Sequence, residues 1–292
     1  MRYGILTIDT KSSNKGNHII VESIKQTLCL PKESVSVSMF CIPTKEQLDN
    51  LNSCDFVLLP GSTILAEGKN NSDAMSILDK ITVPKFCVAA SGWYPYMKYK
   101  TAIFKHITEP VGVRDPHTKR EFDKLGIQSI LVGCPTMYVK KQNIVAQSPF
   151  TIVGFARKNI SFQLNLFKAL SGRLIGSVQE ATFELPLIKQ LGIDYFSYEN
   201  FDIAYKYYSK ADKVVSGRLH GVLPAISQDK PIIFFGDTKD SRFSLLTYMG
   251  IPINENGNPF ELKYIESFVY SNARDELNYN YLIWANQTIY GS

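Results

Sequence analysis

Short runs of apolar, β-branched and aromatic residues recur along the chain, and each ends in a Gly or Ser turn before a segment with helical spacing. YGILTID leads through TKSSNKGN into HIIVESIKQTL. DFVLLPGST and KFCVAASG follow, then GVRD before TKREFDKLG, and SILVGCP. The stretch Val139 to Pro149 is polar and has no clear period. Beyond it the rhythm resumes in FTIVGFARKN, in KVVSG before RLHGVLPAI, and in PIIFFGD before SRFSLLTYMG. Strand and helix alternate throughout, which predicts α/β architecture with mostly parallel sheets.

The aperiodic stretch divides the chain into two α/β domains, 1–145 and 150–272, a division that 292 residues can accommodate. The closing ARDELNYNYLIWANQTIY has an acidic first turn and apolar residues at Leu277, Tyr281, Trp284 and Ala285. This spacing predicts a helix within 273–292 that packs back across the domains.

Composition, 45% hydrophobic and 20% charged, is that of a folded globular chain. The N-terminus lacks the apolar core of a secretory signal, and no run reaches the length of a membrane span. The five cysteines are odd in number and never spaced C-x-x-C, which argues against a disulfide framework and against a zinc knuckle. His106 and His117 have no metal-ligand spacing, so no metal is expected. The cytoplasm, or the inner face of the plasma membrane, is the expected location. The net charge of +5 resides in the first half: residues 1–141 hold eighteen Lys and Arg against thirteen Asp and Glu, and the remainder holds fourteen of each. Such a half suits an anionic ligand or an anionic membrane surface, or reflects a solvated surface with chance asymmetry. Without an Arg-rich run or an RNP-like aromatic motif, no nucleic-acid partner is expected.

The segment VVSGRLHGVLPAI places an arginine and one of only four histidines in a turn between strand and helix. Ligands of parallel sheets bind at the carboxyl ends of strands, where helix N-termini present free N–H groups and positive potential. Arg218 there suits bidentate grip of a carboxylate or phosphate, and His220 suits proton transfer near neutral pH. Gly217 permits close backbone approach, and Leu219 completes the turn. A surface-paired arginine and a turn-capping histidine is the structural alternative.

SGRLHGVLPAISQDKPIIFF, with its S-x-R-L-H turn, resembles the polysaccharide pyruvyl transferase family. Further blocks match in order: the N-x-G-N turn at Asn14 to Asn17, DFVLLPGST, VGVRD, GCPT, GFARKN and DSRFSLLTYMGIP, so that the likeness spans about residues 4 to 252. The resemblance implies two Rossmann-like domains arranged as in GT-B glycosyltransferases, with an active site in the interdomain cleft. It implies transfer of a pyruvyl group from phosphoenolpyruvate to a sugar diol of a surface polysaccharide or its lipid-linked precursor, closing a cyclic ketal. The first domain would be the acceptor side and the second the donor side, with no cofactor beyond phosphoenolpyruvate as substrate. His220 and Arg218 are then the catalytic candidates, and Arg114 a second anchor for the donor anion. Many members carry Asp where this chain has Asn17, and an amide cannot act as a general base. That leaves the role to His220, His18 or Asp9, or leaves Asn17 to position a hydroxyl. Two other readings stay open: a GT-B glycosyltransferase using a nucleotide sugar, and a non-catalytic relative that binds glycan.

The remaining candidates each have a structural alternative. Asp9 faces an acceptor or caps a turn. Arg114 and Asp115 grip an anion or form a salt-bridged loop ahead of a helix. Arg157 touches phosphate or sits on the surface. Gly61 and Ser62 form a tight turn that allows backbone approach, without the G-x-S-x-G elbow of a nucleophilic serine.

Overall fold

The computed structural model describes residues 1–7, 14–39, 42–61, 77–92, 104–144, 148–255 and 267–291. The chain separates into two compact units. The first comprises Met1–Ser12, Ser23–Pro135 and Asp275–Ser292, and the second Ser13–Glu22 and Thr136–Arg274. The main division therefore falls between Pro135 and Thr136, ahead of the polar stretch that marks it in the sequence. Ser13–Glu22 belongs to the second unit although it lies early in the chain.

In the first unit, β1 (Tyr3–Thr7), β2 (Val35–Ser38), β3 (Phe56–Pro60) and β4 (Lys85–Val88) form a sheet in the order β2-β1-β3-β4, every pair parallel. A parallel bridge from Ala90 to Val113 continues it toward the pair β5 (Val111–Val113) and β6 (Ser129–Leu131). Helix α1 (Gly16–Thr27) follows β1, α2 (Lys45–Asn52) precedes β3, and α3 (Pro116–Lys124) precedes β6. Leu6, Val57, Leu59, Val111 and Phe122 are wholly buried in one cluster among these elements. Every residue of β3 is buried, as a central parallel strand covered on both faces requires.

The second unit holds six strands: β7 (Thr151–Gly154), β8 (Leu174–Val178), β9 (Asp194–Ser197), β10 (Lys213–Ser216), β11 (Ile232–Phe235) and β12 (Ile253–Asn254). Their order is β12-β11-β10-β7-β8-β9, and each pair is parallel. This is an open, doubly wound sheet of the Rossmann kind, whose order reverses at its middle. The crossovers are made by α4 (Ile160–Ala169), α5 (Ala181–Leu191), α6 (Phe201–Lys210), α7 (Leu219–Ser227) and α8 (Ser244–Tyr248). Strands β8 and β9, with the helices after them, were not among the elements read from sequence. Gly176 breaks the apolar run of β8 because Ile188 packs where a side chain would lie, 2.6 Å from an added Cβ. The sequence signal there reads as a turn, while the packing demands a glycine inside a strand.

Helix α9 (Ser267–Ala285) starts earlier than its sequence spacing shows, and contributes to both units. Arg274 pairs with Asp229 in the second. Trp284 donates to the Pro110 carbonyl at 2.8 Å and Tyr281 shares a hydrogen bond with Thr27 in the first. Leu277, Tyr281, Trp284 and Ala285 are all buried, as their spacing predicts. Among the described residues, no helix is long and apolar enough to cross a membrane.

Gly61 follows β3 against the backbone of Ala89 and Ala90, where an added Cβ would stand 2.2 Å from the Ala90 nitrogen. Backbone cannot swing aside as a side-chain tip can, so Gly61→Ala should lower the unfolding free energy by roughly 1–3 kcal/mol. Denaturant unfolding measures this, and an unchanged midpoint would show that the two loops separate freely.

Candidate active site

In the second sheet the order reverses between β7 and β10, the position at which open α/β sheets bind ligands. Phe155, Ala156 and Arg157 leave the carboxyl end of β7, and Gly217 to His220 leave that of β10. Gln179 and Glu180 leave β8 next door. Arg218 is the N-cap of α7, in extended backbone, with its N–H donating to Ser216 Oγ at 3.1 Å. Leu219 and His220 open the helix, and Gly217 packs against the Phe235 ring.

The Arg218 side chain is held on several sides. Its Nε donates to the Phe155 carbonyl at 2.6 Å and lies 2.9 Å from Glu184 Oε1, while Nη2 donates to Glu180 Oε2. Arg157 donates to the same Glu180 through Nε at 3.1 Å and Nη2 at 3.3 Å. The Phe183 ring carries both guanidiniums, 5.3 Å from Arg157 and 5.6 Å from Arg218. Two cations, two carboxylates and one ring thus form a single cluster. Arg218 is mostly buried in it, and the Arg157 side chain is 65% exposed. The second oxygen of Glu184 accepts the N–H groups of Gln179 and Glu180, closing the N-terminus of α5 from inside.

The two carboxyls of this cluster are pushed in opposite directions. Burial raises Glu184 to about 7 against the charge of Arg218 and the two N–H donors. Burial also works to raise Glu180, but the hydrogen bonds and charges of Arg218 and Arg157 outweigh it and hold the group below the usual carboxylate range.

The Asn14 to Asn17 turn is brought to the same place. Lys15 N–H donates to the Gln179 carbonyl at 2.8 Å, and Gly16 N–H to Asn14 Oδ1 at 3.0 Å. A Cβ on Gly16 would stand 3.0 Å from Asn14 Oδ1, 3.0 Å from Gln179 Oε1 and 3.1 Å from His220 Nδ1. Glycine lets this turn approach the imidazole without crowding three polar atoms at once. Asn17 is buried in the first turn of α1.

The structure therefore assembles Asn17, Arg157, Gly217, Arg218, Leu219 and His220 within one unit. Gly61 and Arg114 belong to the first. Arg114 is buried, donates through Nη2 to Ser91 Oγ, and has Nε 3.7 Å from Asp115 Oδ2. Asp115 is the N-cap of α3, accepting the Thr118 N–H at 2.9 Å and the Ser91 hydroxyl at 3.0 Å. That is the salt-bridged loop of the structural alternative. Asp9 and Ser62 lie outside the described residues. Among the described residues, no group of three or more His, Cys, Asp or Glu is placed to hold a metal ion.

Sequence reasoning missed Gln179, Glu180, Phe183 and Glu184 because it missed β8 and α5. The available signal was QEATFELP, an acidic pair at helix spacing after a short apolar run.

A carboxyl raised on folding binds its proton more tightly in the native state, so its contribution to stability is present below the unfolded value of 4.5 and is lost as pH rises to about 7. Glu184→Gln removes that titration. The difference in unfolding midpoint between pH 5 and pH 8 should be smaller in the variant than in the wild type, and parallel curves would show that Glu184 does not titrate in this window.

Known structures share this architecture. UDP-GlcNAc 2-epimerase from Methanocaldococcus jannaschii superposes with a TM-score of 0.56 at 10% identity, over 97% of this chain and 99% of that one. S. aureus MnaA, solved with UDP, gives 0.57 at 13%, over 99% and 92%. The Neisseria meningitidis UDP-GlcNAc 2-epimerase bound to UDP-GlcNAc gives 0.54 at 12%, over 96% and 94%. At such identities the likeness establishes the fold, which is GT-B-like. No curated protein is similar enough in sequence to count as a relative. The sequence model of polysaccharide pyruvyl transferases matches residues 14–238, taking in the Asn14 turn, the β8 loop and the Arg218–His220 turn. The chain belongs to the polysaccharide pyruvyl transferase family.

Proposed function

We propose that the protein transfers the pyruvyl group of phosphoenolpyruvate to two hydroxyls of a glycan sugar, forming a cyclic ketal and releasing phosphate. The observation that carries this reading is the family's Arg218–His220 turn standing at the order reversal of a Rossmann sheet. In the reaction, the methylene carbon of the enol takes a proton and becomes a methyl group. One sugar hydroxyl attacks the adjacent carbon and loses its proton, the phosphate leaves, and the second hydroxyl closes the ring as its proton passes to the departing phosphate. His220 is assigned the proton transfer, a task typically worth ~10² to 10⁴ in rate.

The second unit is the donor side in this reading. Its cationic surface is narrower than an R-x-H turn suggests, because Nε and Nη2 of Arg218 are engaged by a carbonyl and two carboxylates. Anion binding there falls to Nη1 of Arg218, the exposed Arg157 and the N–H groups opening α7. The first unit is the acceptor side in this reading.

Incubation with phosphoenolpyruvate and a panel of lipid-linked hexose and N-acetylhexosamine acceptors should add the mass of one pyruvyl ketal to one of them. His220→Gln should keep phosphoenolpyruvate binding within a few-fold of wild type and lose on the order of 10² or more in turnover. Thermal stabilisation by UDP-sugars but not by phosphoenolpyruvate would instead favour a glycosyltransferase, and donor binding without turnover on any acceptor a non-catalytic relative.

The basic first half also supports contact with the anionic inner membrane leaflet, where a lipid-linked acceptor would be anchored. Co-sedimentation with anionic vesicles should exceed that with neutral ones and fall as salt rises. Equal recovery with both would remove the membrane from the proposal.

A further inference from the structure

Helix α7 contains Pro224 four residues after His220. In an α-helix the carbonyl of each residue accepts from the N–H four residues on, and proline has none. The usual helical donor to the His220 carbonyl is therefore missing, and the proline ring crowds that carbonyl away from the axis. A carbonyl so placed in the interior is strongly unfavourable unless a donor comes from elsewhere.

The donor is Tyr198. Its hydroxyl stands 2.9 Å from the His220 carbonyl, and the Tyr208 hydroxyl stands 2.8 Å from the next carbonyl, Gly221. Both rings are wholly buried. Tyr198 directly follows β9, its own N–H donating to the Val178 carbonyl of β8 at 3.1 Å, and Tyr208 lies on α6. Phe196 stacks on Tyr198 with centroids 6.0 Å apart and meets the edge of Tyr208 at 5.7 Å. The two hydroxyls also meet each other, and burial holds both phenols above their ordinary range, so each stays protonated throughout any working pH.

We propose that Tyr198 is a positioning residue for His220: its hydroxyl stands in for the N–H that Pro224 lacks and fixes the first turn of α7, and with it the direction of the imidazole. The helix alone would leave that turn free to fray. The phenol ties it to the sheet edge. This inference rests on the reading that His220 moves a proton.

The test uses four proteins: wild type, Tyr198→Phe, Pro224→Ala and the double variant. Pro224→Ala restores a backbone N–H four residues after His220, so it should make the hydroxyl dispensable. Tyr198→Phe should lower the urea midpoint when Pro224 is present, and by less than half as much when combined with Pro224→Ala. At saturating phosphoenolpyruvate it should lower turnover on the order of tenfold with the donor KM unchanged, as misplacement of a reacting group does, and the double variant should regain most of that loss. Equal midpoint losses in both backgrounds would overturn the substitution of hydroxyl for N–H, and wild-type turnover in Tyr198→Phe would overturn the positioning role. If His220→Gln itself keeps normal turnover, the acid/base reading falls and takes the positioning role with it, while the unfolding cycle still decides the structural claim on its own.

Discussion

A parallel strand cannot turn straight back into its neighbour, and this constraint underlies the rest of the molecule. Each strand must be followed by a crossover, in the second unit a helix between every pair of successive strands, so all carboxyl ends in that sheet open on one edge and the following helices present their N-termini there. In the second unit this gathers the loops after β7, β8 and β10 although tens of residues separate them in the chain. Reversal of the strand order between β7 and β10 sends their helices to opposite faces and leaves the loops between them uncovered. The Arg218–His220 turn, the Glu180 loop and the Arg157 loop meet for that reason.

What meets there is closely interlocked. An arginine at a helix N-terminus suggests an open anion grip, but Arg218 is locked by Glu180, Glu184 and the Phe155 carbonyl. A buried ion cluster of this kind is weak evidence for stability and stronger evidence for fixed geometry, since desolvation offsets most of the attraction. Glu184 shows the tension: its oxygens face a guanidinium and two N–H groups, yet burial still raises it to about 7. The cluster fixes the N-termini of two helices at once, α5 through Glu184 and α7 through Arg218.

The histidine turn is held from the other side by the Tyr198 and Tyr208 hydroxyls, which meet the His220 and Gly221 carbonyls. The family resemblance therefore locates the turn, while the hydroxyls that meet its carbonyls come from residues outside the motif. The Asn14 turn lies on a third side, its Gly16 close beside the imidazole.

The sequence by itself determined the α/β class, the apolar runs that become β1, β3, β4, β7, β10 and β11, the buried face of the last helix, and the turn that carries arginine and histidine. These are local matters: a run of β-branched residues, a 3.6-residue period, or a short motif is complete within a few residues. It did not determine β8 or β9, because Gly176 answers to Ile188 and the exposed edge strand DYFS carries little apolar signal. Tertiary structure alone decided that Ser13–Glu22 joins the second unit, that Glu180 and Glu184 close on Arg218, and that a tyrosine supplies the hydrogen bond a proline removes. Each of these pairs residues far apart in the sequence, and distance along the chain says nothing of distance in space until the strand order is known.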